Sequence, residues 1–166
     1  MRKINLLQIV LHFLATCFFA YSAIVFSRFY NLKLLYVTWE NGVKNVSENP
    51  EKFGLTINDL WNFTFSQNIA NLIGIFVAFI ISIIISLKMK WPVINSIIVL
   101  IIAILFNKFC FQNLGWNNFS HYLTPGRFFD NLVVNILISG IFLLALGIAL
   151  FLTKFMNKKI STQYSK

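Results

Sequence analysis

Acidic side chains are the scarcest chemistry in this chain. There are five among 166 residues: Glu40, Glu48, Glu51, Asp59 and Asp130. None falls within a long apolar run, so a carboxylate proton relay of the kind used by membrane pumps is excluded. Cysteine is scarcer still. Cys17 and Cys110 form no CxxC pair, which removes the quinone-linked disulfide chemistry found in some four-helix membrane proteins. The two are also placed at different depths, so both read as apolar packing residues. The two histidines, His12 and His121, fall toward opposite sides of the membrane and are unsuited to a haem held by two axial imidazoles. No GxSxG elbow or comparable nucleophile motif is present. The expectation is a protein that is not an enzyme, with no catalytic, cofactor-binding or metal-binding residues.

Charge of either sign is also thin. Charged residues make up 11% of the chain, where a soluble domain carries about 25%. Hydrophobic residues make up 58% and the mean hydropathy is +0.74. This is the composition of a membrane protein, and the length leaves no room for a separate soluble domain.

Four apolar runs read as membrane spans: residues 4–26, 68–87, 92–111 and 132–153. The N-terminal run is too long for a signal-peptide core and is read as an uncleaved span. The fold class that follows is an all-α membrane protein, a compact four-helix bundle forming a single domain over residues 1–166. Loops 27–67 and 112–131 lie on one side, and a basic tail follows at 154–166. Arg2, Lys3, Lys88, Lys90, Lys154, Lys158, Lys159 and Lys166 all fall on the other side. The positive-inside rule therefore predicts cytoplasmic termini. The remaining six cations nearly balance the five acids in the outer loops, so topology accounts for the net charge of +9 and no nucleic-acid partner is implied. Anionic lipid headgroups are the natural partners of the inner lysines. Short polar loops and this lysine bias point to a bacterial-type inner membrane.

The second run, QNIANLIGIFVAFIISIIISL, has two distinct sides. Ala70, Gly74, Ala78, Ser82 and Ser86 form a ridge of small residues, while Ile69, Leu72, Ile73, Phe76, Ile80, Ile83 and Leu87 face away. Small residues are useful in lipid where two helices approach closely, so the ridge predicts a packing face and makes this span the organising helix. In the fourth run Gly140 and Gly147 play the same part. Polar residues at matching depths, Gln8, His12, Asn71, Asn107 and Asn135, are expected to hydrogen-bond inside the bundle. His12 is the one ionisable group well inside a span, and the expected partners of its imidazole are Gln8, Ser82 or Asn95.

The first outer loop allows two readings. Asn41-Gly42 between β-prone runs is a strong hairpin signal. Alternatively, the first helix continues past Arg28. Thr56-Ile57-Asn58-Asp59 reads as a capping box opening an interfacial helix that carries Leu60, Trp61, Phe63 and Phe65. In the second outer loop, Thr124-Pro125-Gly126-Arg127 is turn chemistry. His121, Arg127 and Asp130, with Trp39, Trp61 and Trp116, are the candidate outer contact residues.

The function expected from these features is association: a subunit, assembly factor or partner-binding protein working through its outer loops, an immunity protein against a pore-forming toxin being one version. Its partner would be another membrane protein or a second copy of itself. An oligomeric pore lined by span Asn and Ser residues is the alternative. An interfacial lipid-acting enzyme using His121, Arg127 and Asp130 is the third reading.

Overall fold

A computed structural model describes residues 4–107, 124–152 and 158. Every regular element in it is helical, and no strand forms among the described residues. Helix α1 spans Leu6–Ser27 and passes through a 3₁₀ turn, Arg28–Asn31, into α2, Leu32–Asn41. A short helix α3, Val43–Glu48, and a second 3₁₀ turn, Pro50–Phe53, lead to α4, Ile57–Lys88. Helix α5 spans Ile94–Phe106, a third 3₁₀ turn covers Pro125–Phe128, and α6 spans Leu132–Leu152.

Three of these helical stretches are long and apolar enough to cross a membrane: Leu6–Asn41, Ile57–Lys88 and Leu132–Leu152. Helix α5 is apolar but covers 13 residues, and the expected span beyond Asn107 lies outside the described residues. At about 1.5 Å per residue, α1 is roughly 33 Å long and α4 roughly 48 Å.

The centre of the bundle is α1, not the helix with the small-residue ridge. Helix α1 packs along both α4 and α6 and also touches α5, whereas α4 and α6 meet only marginally. In the most apolar stretch of each helix, 61% of α1 is buried against 33% of α4 and 39% of α6. Close approach explains this arrangement. A Cβ on Gly74 would sit 2.6 Å from the Ala20 Cα, and one on Gly147 would sit 2.7 Å from the Phe19 ring. The small residues of α4 and α6 are thus the surfaces on which α1 lies. Ser22 Oγ adds a 2.8 Å hydrogen bond to the Gly140 carbonyl of α6. The opposite side of α4, from Ile69 through Leu87, is largely exposed, as its apolar pattern predicts.

In the first outer loop the second of the two readings holds, the first helical stretch continuing past Arg28 to Asn41, and one expectation is corrected. Asn41-Gly42 does not turn a hairpin. Gly42, at φ 81°, ends α2, and its N–H bonds the Thr38 carbonyl. A glycine of positive φ serves a hairpin and a helix end equally well. Here Val46, on α3, is fully buried against Leu34 and Leu55, and that contact selects the helix. The interfacial helix is also not separate. Thr56 and Asp59 do form the capping box, with Thr56 N–H donating to Asp59 Oδ2 at 2.8 Å, but the helix they open runs unbroken to Lys88.

Candidate functional site

Two features stand out: a buried polar cluster between α1, α4 and α5, and a helical cap beyond the apolar bundle.

The cluster lies toward the lysine-bearing link between α4 and α5. His12, Gln8, Ser82, Ser86, Asn95 and Ser96 are all buried. Gln8 sits one turn inside α1, whose start is fixed by Asn5 Oδ1 accepting from the Gln8 N–H at 3.1 Å. The Gln8 amide donates to Ser86 Oγ at 2.9 Å and accepts from the Asn95 amide at 2.8 Å. Ser82 Oγ donates to Ser96 Oγ at 2.8 Å, and Ser96 Oγ lies 3.1 Å from Ser86 Oγ. His12 Nδ1 is 2.6 Å from Ser82 Oγ. Because the single Ser82 proton is directed to Ser96, the imidazole meets Ser82 as the Nδ1–H donor. One connected network therefore joins the three helices. Of the expected partners of His12, Ser82 is the one it meets, while Gln8 and Asn95 join each other.

The rest of the imidazole is packed. Phe151 of α6 meets its ring edge-on at 5.1 Å between centroids, and Trp91 lies at 6.2 Å. Trp91 adjoins the charged Lys88–Lys90 link, yet it is only 3% exposed. The link from Lys88 to Val93 is so short that the indole folds under the bundle. Lys90 in that link has φ 58°, a left-handed conformation unusual for a side-chain-bearing residue.

A second polar layer lies toward the cap. The Asn71 amide donates to Asn107 Oδ1 between α4 and α5. On α6, Asn135 and Ser139 are buried, and the Pro125–Phe128 turn lies so close to them that a Cβ on Gly126 would collide with both. Apolar side chains separate the two layers, including Ala15, Phe19, Ile75 and Ala78. A cavity of about 30 Å³ beside Thr16, Cys17, Tyr21, Asn71 and Asn107 has room for roughly two water molecules.

The cap has its own core. Leu34 of α2, Val46 of α3 and Leu55 are buried together, flanked by Val37, Phe53, Leu60 and Phe63. Gly54, at φ 63°, ends the Pro50–Phe53 turn, and its carbonyl accepts from Lys33 Nζ at 2.8 Å. Outside this core, Ile57, Trp61 and Phe65 repeat every four residues along α4 and are 61–69% exposed. Trp39 on α2 is exposed as well.

The sequence-predicted residues distribute as follows. Gly74, Ala78, Ser82, Ser86, Gly140 and Gly147 are buried at helix contacts, and Ala70 is partly buried. Gln8, His12, Asn71 and Asn135 are buried, and Asn107 is partly so. His121 and Trp116 lie outside the described residues. Arg127 and Asp130 are exposed and form no ion pair with each other; Arg127 stacks over Phe128 at 4.8 Å instead. Compared with family models, curated proteins and solved structures, the chain matches none of them.

Proposed function

We propose that this chain is a small non-enzymatic integral membrane protein, a single four-span domain of a bacterial-type inner membrane, that works by association through its helical cap. It acts as a subunit, an assembly factor or a partner-binding protein. Both termini and the Lys88–Lys90 link face the cytoplasm, in keeping with the lysine distribution.

The supporting observation is the length of the exposed apolar stripe on α4. It runs from Ile57 through Trp61, Phe65, Ile69, Ile73, Phe76 and Ile80 to Leu87. The helix that carries it is roughly 48 Å long, whereas hydrocarbon is about 30 Å thick. Tilting absorbs part of the excess, and Trp61 and Phe65 suit the headgroup region. Ile57 and Trp39 still stand beyond lipid, on a cap with a built core. An apolar surface held out of lipid by its own folded support is what a protein partner needs. Among the described residues, the hydrogen-bonded cluster of Gln8, His12, Ser82, Ser86, Asn95 and Ser96 favours association over a path through a single copy.

Photo-crosslinking tests this reading. A photoreactive residue in place of Trp61 should give one discrete protein adduct in native membranes. The same residue in place of Ile80 should give lipid adducts. Lipid adducts alone at both positions would contradict the proposal.

A further inference from the structure

Two large apolar side chains stand open at the turn before α6. Phe128 is 74% exposed and Phe129 is 41% exposed. The backbone beneath them is fixed against the helix. Thr124 and Gly126 are buried, and a Cβ on Gly126 would collide with Asn135 and Ser139 of α6. The Gly126 carbonyl accepts from the Phe129 N–H at 3.0 Å, which closes the turn. Asn131 Oδ1 then accepts from the Val133 and Val134 N–H groups and starts α6. The two rings are therefore displayed on a built support.

The depth of the turn says what meets them. Gly126 is level with Asn135 and Ser139, one to two helical turns inside α6, so the segment folds back roughly 5–10 Å from the helix start. Helix α6 is itself about 32 Å long, close to the about 30 Å of a hydrocarbon core. The turn thus lies at the boundary between headgroups and acyl chains, the layer in which aromatic side chains anchor membrane proteins. Arg127 adds a charge at the same level. Its guanidinium is exposed and lies over the Phe128 ring, 4.8 Å from the centroid. It forms no ion pair among the described residues, and neither does the exposed Asp130. A guanidinium stacked on a ring still has its N–H fork to offer, and the acceptor that fills the headgroup layer is phosphate.

We propose that the Pro125–Phe129 segment is a lipid-docking turn. Phe128 and Phe129 lie at the headgroup–acyl boundary, and Arg127 takes two oxygens of a phospholipid phosphate. The turn is a contact separate from the cap, and it rests on the reading that α6 crosses the membrane.

Spin-label depth measurement tests the docking. Nitroxides are attached at Phe128→Cys, at Val43→Cys on the cap and at Ile141→Cys on the open side of α6. The background is Cys17→Ser with Cys110→Ser, in vesicles of phosphatidylcholine and phosphatidylglycerol. The ratio of collisions with oxygen to collisions with a water-soluble nickel chelate should be several-fold higher at Phe128→Cys than at Val43→Cys, and lower than at Ile141→Cys. Equal ratios at Phe128→Cys and Val43→Cys would overturn the docking. A water-like ratio at Ile141→Cys would overturn the span itself and the turn with it, so the two failures are distinct. Native mass spectrometry from mild detergent reads the phosphate contact. Wild type should retain several-fold more phosphatidylglycerol than Arg127→Gln, with Arg127→Lys between them and Asp130→Asn at least equal to wild type. Diacylglycerol should be retained equally by wild type and Arg127→Gln. Equal retention of phosphatidylglycerol by those two would overturn the phosphate contact. Inorganic phosphate held in place of the lipid would overturn the lipid as its source. Loss of a co-purifying protein from Arg127→Gln, with lipid retention unchanged, would overturn the proposal and assign the turn to a protein partner.

Discussion

Gln8 is the residue on which the buried cluster turns, because its one amide group serves both Ser86 on α4 and Asn95 on α5. Gln8→Leu removes one hydrogen bond each from Ser86 and Asn95, where a lost buried bond costs up to about 1–3 kcal/mol in soluble proteins and less where the membrane-embedded unfolded state finds substitutes. A loss of about 1–3 kcal/mol in reversible micelle unfolding is expected, and a neutral variant would mean the amide bonds are dispensable. Lys90 offers the opposite sign. Its left-handed φ of 58° is strained for lysine and free for glycine. Lys90→Gly should raise stability by about 0.5–1 kcal/mol in the same assay. An unchanged or lower stability would show that the charge at this link outweighs the strain. The depth of the cluster was legible in the sequence, since Gln8, His12, Ser82, Ser86 and Asn95 fall at compatible heights on three amphipathic helices. The pairing within it was not, because height leaves rotation about each helix free.

At the scale of elements, the decisive contact is α1 against the glycine faces of its neighbours. Gly74→Val would drive a side chain into the Ala20 backbone, which has no rotamer with which to yield. The helices would have to separate, and a loss of about 1–3 kcal/mol or more is expected. Ala145→Val, on the exposed side of α6, should be near neutral and serves as the control. The ridge that carries Gly74 was readable from spacing alone, yet the ridge was taken to mark the central helix. It marks instead a helix with one packing face. Helix α1 holds the centre because polar and small residues occur on several of its sides: Gln8 and His12 toward α4 and α5, Ala15 and Ser22 toward α6. The capping box is separable from all of this. Thr56→Ala should weaken the first turns of α4 by about 1 kcal/mol. Hydrogen exchange should then speed up near Trp61 while residues 74–86 stay protected. Uniform loss along α4 would contradict a locally supported cap.

At the scale of the molecule, the chain is an apolar bundle around α1 with a small folded cap on one end. Three helices long and apolar enough to cross a membrane were legible, because long apolar runs and small-residue contacts are visible in one dimension. The cap was not, since its helix-ending Gly42 and its β-prone flanks read equally well as a hairpin until Val46 finds Leu34 and Leu55. Association through the cap is the central claim, and the mass of the complex in a mild-detergent extract of the native membrane tests it most directly. The account predicts a defined complex with a stoichiometric second protein, lost when Ile57 and Trp61 are both replaced by asparagine while the chain still inserts. A monodisperse species containing only this chain, unchanged by those substitutions, would contradict it.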